Sequence, residues 1–426
     1  MNPADPRLVA LQRYTDGLAS AEDVALIEET VLQDAEFRAL VVEYLHIDSS
    51  MEEFAVVAEE LPAPRPRRLA WRFAAAAAVV VAACLAFWLV KGGGRPGAAV
   101  EIVSLTKAAL AEPNNQMQAG DRVRGKELRL QSGEAELRLA SGVKMVLAGP
   151  AEIRFIDAMH ARLARGKVTL DCGAGGQGFV LDTPAARVVD VSTQFGVEAR
   201  ADGTSDVMVI KGSVKLFDSG EAGKAAPLEQ GEAVRVDAAH GLQRITNITG
   251  GPQPAEWSTL PPSGDCNIAA VSDTFGAGQG FHFYRTVPHG LRPGAMVYTN
   301  RSYVWRAAPG QAFPPSLLEA DVVQTFFGEL LHPGYAIEVT VARPVDLFVL
   351  MPRRGLPQPW LAEGFARTGD EVVLDEAGPS ERKRPPLIFE VWKRRVVQAG
   401  KVTLGPGNRD SQGRPVGMYG IAARSF

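Results

Sequence analysis

Between Leu69 and Val90 runs an apolar stretch of 22 residues broken only by Arg72, and its last eighteen, Phe73 to Val90, carry no charge. As an α-helix it would extend about 33 Å, enough to cross the ~30 Å hydrocarbon core of a bilayer. Its alanine richness leaves a buried helix of a soluble protein as the competing assignment. The flanks favour the membrane. Trp71 and Trp88 stand near the two ends, where interfacial aromatics are favoured, and Arg72 can snorkel to the head groups. Arg65, Arg67, Arg68 and Arg72 lie at the start, whereas only Lys91 and Arg95 follow closely. Positive charge stays on the cytoplasmic side, so the N-terminus is expected inside and the long C-terminal part outside. A run starting at residue 69 is no cleavable signal peptide. Val81-Ala82-Ala83-Cys84 looks like a lipoprotein cleavage box, but it lies too far from the N-terminus and the apolar run continues past it.

The expected span also partitions the charge, which nets only −4 over the 426 residues. Residues 1–62 hold fourteen acids against Arg7, Arg13 and Arg38, leaving −11; residues 63–95 hold six bases and no acid, and the remainder nets +1. A module so acidic does not bind nucleic acid or anionic lipid directly, and it suits a basic protein partner. It reads as three helices. Leu8, Leu11 and Leu18 mark the first. Ser20, with Asp23 three residues on, opens a second carrying Val24, Ile27 and Val31. Asp34 caps a third whose stripe is Phe37, Leu40, Val41, Tyr44 and Leu45. About sixty residues with so small a core are marginal alone. Either the stripe is the module's own core, or a partner covers it. The Pro-rich LPAPRPRR that follows is a semi-extended tether.

Beyond the span the pattern changes from helical spacing to alternation. The chain has 43 Gly and 29 Pro, and from 100 to 245 short alternating runs such as Ala135–Ala140, Lys144–Leu147, Glu152–Ile156 and Val207–Ile210 are separated by glycines. Strands every eight to twelve residues predict an all-β domain. Gly142, Gly166 and Gly212, in Gly142-Val143-Lys144, Gly166-Lys167-Val168 and Gly212-Ser213-Val214, are expected to place a turn before a new strand. A Pro/Gly-rich linker is expected over Gly250–Gly264. Over 264–426 the runs Tyr335–Val341, Val345–Met351, Glu371–Asp375, Leu387–Trp392, Lys401–Leu404 and Met418–Ala422 predict a second β-sandwich. The fold class is therefore multi-domain and mainly β: a helical module (1–62), one transmembrane helix (69–90), and two β domains (100–245 and 264–426). Trp305, Trp360 and Trp392 are either carbohydrate-stacking platforms or packing aromatics, the second being the commoner use. Cys172 and Cys266 lie 94 residues apart in different domains, and nothing requires them to pair.

The runs LASGVKMVLAGPAEIRF, LARGKVTL, GFVLDTPAARVVDVSTQFGVEA and DVMVIKGSVKLF together resemble a FecR-type domain over residues 127–217. The residues that carry the resemblance are Gly149-Pro150-Ala151, Gly166-Lys167-Val168, Thr183, Pro184, Asp190, Thr193, Phe195, Gly196, Val197 and Gly212. Ser192 and Gln194 depart from the family's usual Gly and acidic residue, and are expected to adjust one turn. The resemblance implies the extracytoplasmic part of a membrane-bound anti-sigma regulator, in the inner membrane with its N-terminus in the cytoplasm and its β domains in the periplasm. It implies an alternative sigma factor as partner of the inner module, where Tyr14, Leu18, Phe37, Leu40 and Tyr44 are the candidate contacts. An outer-membrane or envelope protein, or a glycan, is implied as a partner outside. The start Tyr14-Thr15-Asp16-Gly17-Leu18 is similar to short anti-sigma segments. That module lacks the His and Cys ligands of zinc-containing relatives, so no metal is implied. An envelope scaffold that binds glycan or protein and has no sigma-factor role is the alternative function.

Catalysis finds no support in the sequence. The six histidines are scattered, with no His-Glu-x-x-His and no Gly-x-Ser-x-Gly elbow. The Gly-rich segments 173–178 and 276–280 lack the Lys-Ser/Thr of a phosphate loop and read as loops. Asp182 and Asp190, eight apart, have the types of a carboxylate pair, but the resemblance makes them turn and strand-end residues. No enzyme activity and no cofactor is expected.

Overall fold

The computed structural model describes residues 99–426 except 192, 219–224, 238, 252–255, 263, 276–279, 328–333, 377–386, 411–412 and 414–415, together with Thr30. The chain divides into two compact units, Met1–Val90 and Lys91–Phe426, and the second is the one described below. The helical module, the candidate sigma-factor contacts Tyr14, Leu18, Phe37, Leu40 and Tyr44, and the apolar run 69–90 lie outside the described residues. Among the described residues no helix is long and apolar enough to cross a membrane.

Strands dominate. In the first half they are β1 (Val100–Leu110), β2 (Glu127–Leu139), β3 (Lys144–Asp157), β4 (His160–Asp171), β5 (Val180–Asp182) and β6 (Ala186–Asp190). Then come β7 (Gln194–Ala199), β8 (Ser205–Lys211), β9 (Ser213–Asp218), β10 (Ala225–Glu229), β11 (Ala233–Asp237) and β12 (Gly241–Arg244). Among the described residues these twelve make one branched sheet, and the branch is at β4. One edge of β4 pairs with β3. On the other edge, its first residues pair with β5 in parallel (His160 to Arg162 with Val180 to Asp182), and Gly166 to Asp171 pair antiparallel with β7.

Alternation sets the buried face, and bulges keep it buried. In β2 the buried positions are Leu128 and Leu130, then Ala135, Leu137 and Leu139. Their parity switches across a one-residue bulge between Leu130 and Glu134. Without that extra residue, half the strand would turn its leucines to solvent. The stretch expected as two strands, 144–147 and 152–156, is one strand, β3, bent by a bulge between Ala148 and Glu152. Gly142 and Gly212 sit ahead of new strands as expected, and Gly212 takes the left-handed backbone (φ +80°) that its turn requires. Gly166 differs from the expectation. It lies inside β4 opposite the β3 bulge, where a Cβ would fall 2.4 Å from that of Ala151.

The second half contains β13 (Asn247–Gly250), β14 (Trp257–Ser258), β15 (Ile268–Asp273), β16 (Tyr284–Val287), β17 (Tyr303–Ala307) and β18 (Asp321–Gln324). These are followed by β19 (Ile337–Val341), β20 (Val345–Pro352), the short helix α1 (Pro359–Gly364), β21 (Ala366–Glu376), β22 (Leu387–Val396), β23 (Gly400–Leu404) and β24 (Gly420–Arg424). A nine-stranded sheet runs β14-β13-β16-β18-β24-β20-β22-β21-β17, and a three-stranded one runs β15-β19-β23. Ile268, Ile337, Val339 and Leu404 of the small sheet share one core with Tyr284, Val322, Leu347, Val349 and Phe389 of the large one. Two sheets that bury their apolar faces against each other form a sandwich. The segment 250–264 is more than a linker: it contributes β14 and the buried Trp257.

Candidate functional site

The motif residues of the first sheet are structural in a specific sense: they close turns and fill the core. Thr183 closes the β5–β6 turn, its hydroxyl donating to the Ala186 carbonyl (3.0 Å) and accepting from the Ala186 N–H (2.9 Å). Pro184 sits within that turn. Asp190 and Thr193 are both buried, and the Thr193 hydroxyl donates to the Asp190 carboxylate. Phe195 is fully buried in the core. At Gln194 the side-chain amide donates to Asp171 (3.0 Å). Ser192 lies outside the described residues.

Asp182 and Asp190 have different partners. Asp182 takes hydrogen bonds from Arg187 (2.8 Å) and His160 (2.9 Å). Burial pushes its carboxyl up, but Arg187 and His160 outweigh that and hold it below the usual range. Asp190 instead lies beside Cys172, whose thiol is driven up by burial first and by that carboxylate second. Cys172 and Cys266 are both free and buried, Cys172 within the core of the branched sheet. Burial and the Asp321 carboxylate push the Cys266 thiol up to about 12. Trp305 is buried edge-on to Phe389, Trp392 is buried, and Trp360 is partly buried with its indole N–H donating to the Pro406 carbonyl (3.0 Å). Trp305 and Trp392 belong to the second core, and Trp360 packs against it. Residues 173–178 form a loop with a single 3₁₀ turn, Ala174–Gly176. Among the described residues no cluster of His, Cys, Asp and Glu could hold a metal ion.

What the sequence reading missed is the seam between the branched sheet and the sandwich. Met208 and Ala233 of the first half meet Ile248, Trp257 and Phe283 of the second in a small core of their own. The Trp257 indole N–H donates to Thr169 (2.9 Å), and the Lys167 ammonium donates to the Trp257 carbonyl (2.7 Å). Desolvation there lowers the Lys167 pKa despite the nearby Glu198. The ring lies so close to Gly196 that a Cβ there would fall 2.6 Å from indole Cε2. This motif glycine is therefore required by an aromatic residue 61 positions later. Main-chain bonds add to the join: Phe283 N–H donates to the Gly231 carbonyl (3.1 Å), and Ala233 N–H to that of Phe281 (2.9 Å).

Charge locks the same seam. The buried Asp206 accepts from Arg235 Nε (2.7 Å), Arg200 Nε (2.9 Å) and the Thr259 hydroxyl (2.8 Å). Burial alone would raise its pKa, yet Arg235, Thr259 and Arg200 together hold it below the usual carboxylate range. Arg244 of β12 makes a bidentate pair with Asp273 of β15 (2.8 and 2.9 Å), and the Tyr284 hydroxyl donates to the same carboxylate (2.7 Å). Between these locks lies a cleft of about 290 Å³, lined among others by Arg235, Gln243, Arg244, Asn247 and Thr259.

Residues 126–215, from the start of β2 into β9, match the FecR protein family. The chain carries a FecR domain. The match covers about a fifth of the chain and contains every motif residue discussed above. No curated protein matches the chain. Among solved structures, a candidate anti-sigma factor from Parabacteroides distasonis ATCC 8503 is similar over 28% of this chain and 57% of its own, at 19% identity and a TM-score of 0.24. A beta-glucuronidase of glycoside hydrolase family 2 is similar over 80% of this chain and 40% of its own, at 12% identity and a TM-score of 0.27. The chain thus spans less than two thirds of either structure. The FecR match makes the chain FecR-like over residues 126–215.

Proposed function

We propose that the chain is a single-pass regulator of the FecR type. Its acidic residues 1–62 hold an alternative sigma factor in the cytoplasm, residues 69–90 cross the inner membrane, and the β regions read a signal in the periplasm. The observation that carries this reading is the FecR match over 126–215. The charge pattern supports it, since a −11 module favours a basic protein surface and the arginines before Phe73 favour an inside N-terminus. The locked seam supports it too, because a ligand or protein bound to either β region acts on one body in which Trp257 and Asp206 join both. Release of the sigma factor then needs only a difference in affinity between the signalled and unsignalled states.

Co-purification tests the proposal. The tagged full-length chain, solubilised from host membranes, should bring down one alternative sigma factor, and Leu40→Asp or Phe37→Asp should cut recovery about tenfold. Recovery of no sigma factor with the unaltered chain refutes it.

A further inference from the structure

The exposed face of the FecR domain holds positive charge that the protein does not answer. Strand register sets Arg154 of β3 directly beside Arg162 of β4. Like charges opposite one another on neighbouring strands destabilise a sheet. Glu127 is the register partner of Arg154 on the other side, but its carboxylate reaches Arg129 instead (3.5 Å). Arg162 lies 3.6 Å from Asp182, a carboxylate already held by Arg187 and His160. Among the described residues Lys126 and Arg154 have no ion-pair partner, and both are exposed. Lys126, Arg154 and Arg162, with Ile156, line a cavity of about 210 Å³.

We propose that this cavity binds the phosphate group of a small soluble phosphate ester, such as a sugar phosphate. Two unanswered charges call for a dianion, and a phosphate monoester carries about −1.5 to −2 at pH 7 where a carboxylate carries one. Two guanidinium forks present paired donors that match phosphate oxygens, and the Lys126 ammonium adds a point charge. Ile156 is the one apolar lining residue, which leaves little to recognise a lipid tail. A bound dianion would also relieve the Arg154–Arg162 repulsion, so the ligand should raise the melting temperature. The proposal is independent of sigma-factor binding, because it concerns exposed groups of the FecR domain alone.

The test titrates the full-length chain in detergent with glucose 6-phosphate, inorganic phosphate, glucose, and vesicles of phosphatidylglycerol. Glucose 6-phosphate should bind saturably at one site, inorganic phosphate should compete, and glucose should not bind. Arg154→Gln and Lys126→Gln should each weaken binding about tenfold, the scale of one lost hydrogen bond to a charged group. Lys215→Gln removes an exposed charge from the same face, two strands past β5 in the row His160, Val180, Val189, Lys215, and should leave affinity unchanged. Melting curves without ligand check that all three variants fold. Binding to vesicles alone, absence of saturable binding to either phosphate, or equal weakening by Lys215→Gln would overturn the assignment.

Discussion

Gly196→Ala should destabilise the second unit, and the sign is informative because the substitution would ordinarily help. Gly196 lies within a regular strand, β7, where replacing glycine by alanine removes unfolded-state freedom and stabilises by about 0.4–1 kcal/mol if nothing is in the way. Here the new Cβ would lie 2.6 Å from Cε2 and 2.7 Å from Cζ2 and Nε1 of Trp257, against an optimal carbon–carbon separation of ~3.5–4.0 Å. The ring is not free to retreat. Its N–H is bonded to Thr169, its carbonyl accepts from Lys167, and the residue is 2% exposed. Overpacking of this kind costs about 1–3 kcal/mol, so the net loss should be near 1–2 kcal/mol. At roughly 2–4 °C per kcal/mol for domains of ~150–250 residues, the melting temperature should fall by a few degrees. Trp257→Ala should itself cost about 3–5 kcal/mol by emptying the seam core. In that background the clash is gone, and Gly196→Ala should become neutral or mildly stabilising. The double-mutant cycle would then show a coupling of about 1–3 kcal/mol. Thermal and urea melts of the four full-length proteins measure it. If Gly196→Ala costs the same with and without the indole, or raises the melting temperature of the parent, the packing argument is wrong.

Three further outcomes are expected. Asp206→Asn keeps the volume but strips two arginines of their counter-charge; breaking a buried pair costs about 3–5 kcal/mol, reduced here to about 2–4 because Arg235 is 36% exposed. Because the folded Asp206 pKa is depressed, its contribution is present in full above the unfolded value of about 4 and is lost as pH falls below it. Melting temperatures from pH 7 to 3 should therefore fall more steeply for the parent than for Asp206→Asn, and parallel curves would count against the assignment. In a Cys84→Ser background a thiol reagent should label neither Cys172 nor Cys266 at pH 8 until denaturant is added, since both are buried with raised pKa values; rapid native labelling would contradict it. Alkaline phosphatase fused after residue 100 should be active in cells, and an inactive fusion would reverse the proposed topology.

Much of the β architecture was legible because alternation is a local signal. The strands Val345–Pro352 and Leu387–Val396 begin where the apolar runs begin, and the FecR motif could be picked out by order and spacing. Bulges were harder to foresee. A register slip in β2 or β3 depends on what the partner strand offers, and so Gly166 looked like a turn residue although it lies inside β4. The seam was hidden for a related reason. Trp257 is paired with Gly196 and Thr169, 61 and 88 residues earlier, and Asp206 with Thr259, 53 later. A large aromatic in a Pro/Gly-rich stretch was the one local sign that 250–264 does more than connect.

By itself the sequence determined the partition of charge, the expected span, the β character of everything after residue 100 and the FecR motif, because hydrophobic period, net charge and turn residues act over a few neighbours. Only the tertiary structure decided what the motif residues do and which charges remain unanswered. Gly196 is a glycine because an indole from the other half lies on it. Asp206 is held ionised by Arg235 of β11 and by Arg200, just past the end of β7. Lys126, Arg154 and Arg162 become one basic cavity only when β2, β3 and β4 lie side by side. Desolvation and close packing act between groups that the fold brings together, and neither is written in the spacing of residues along the chain.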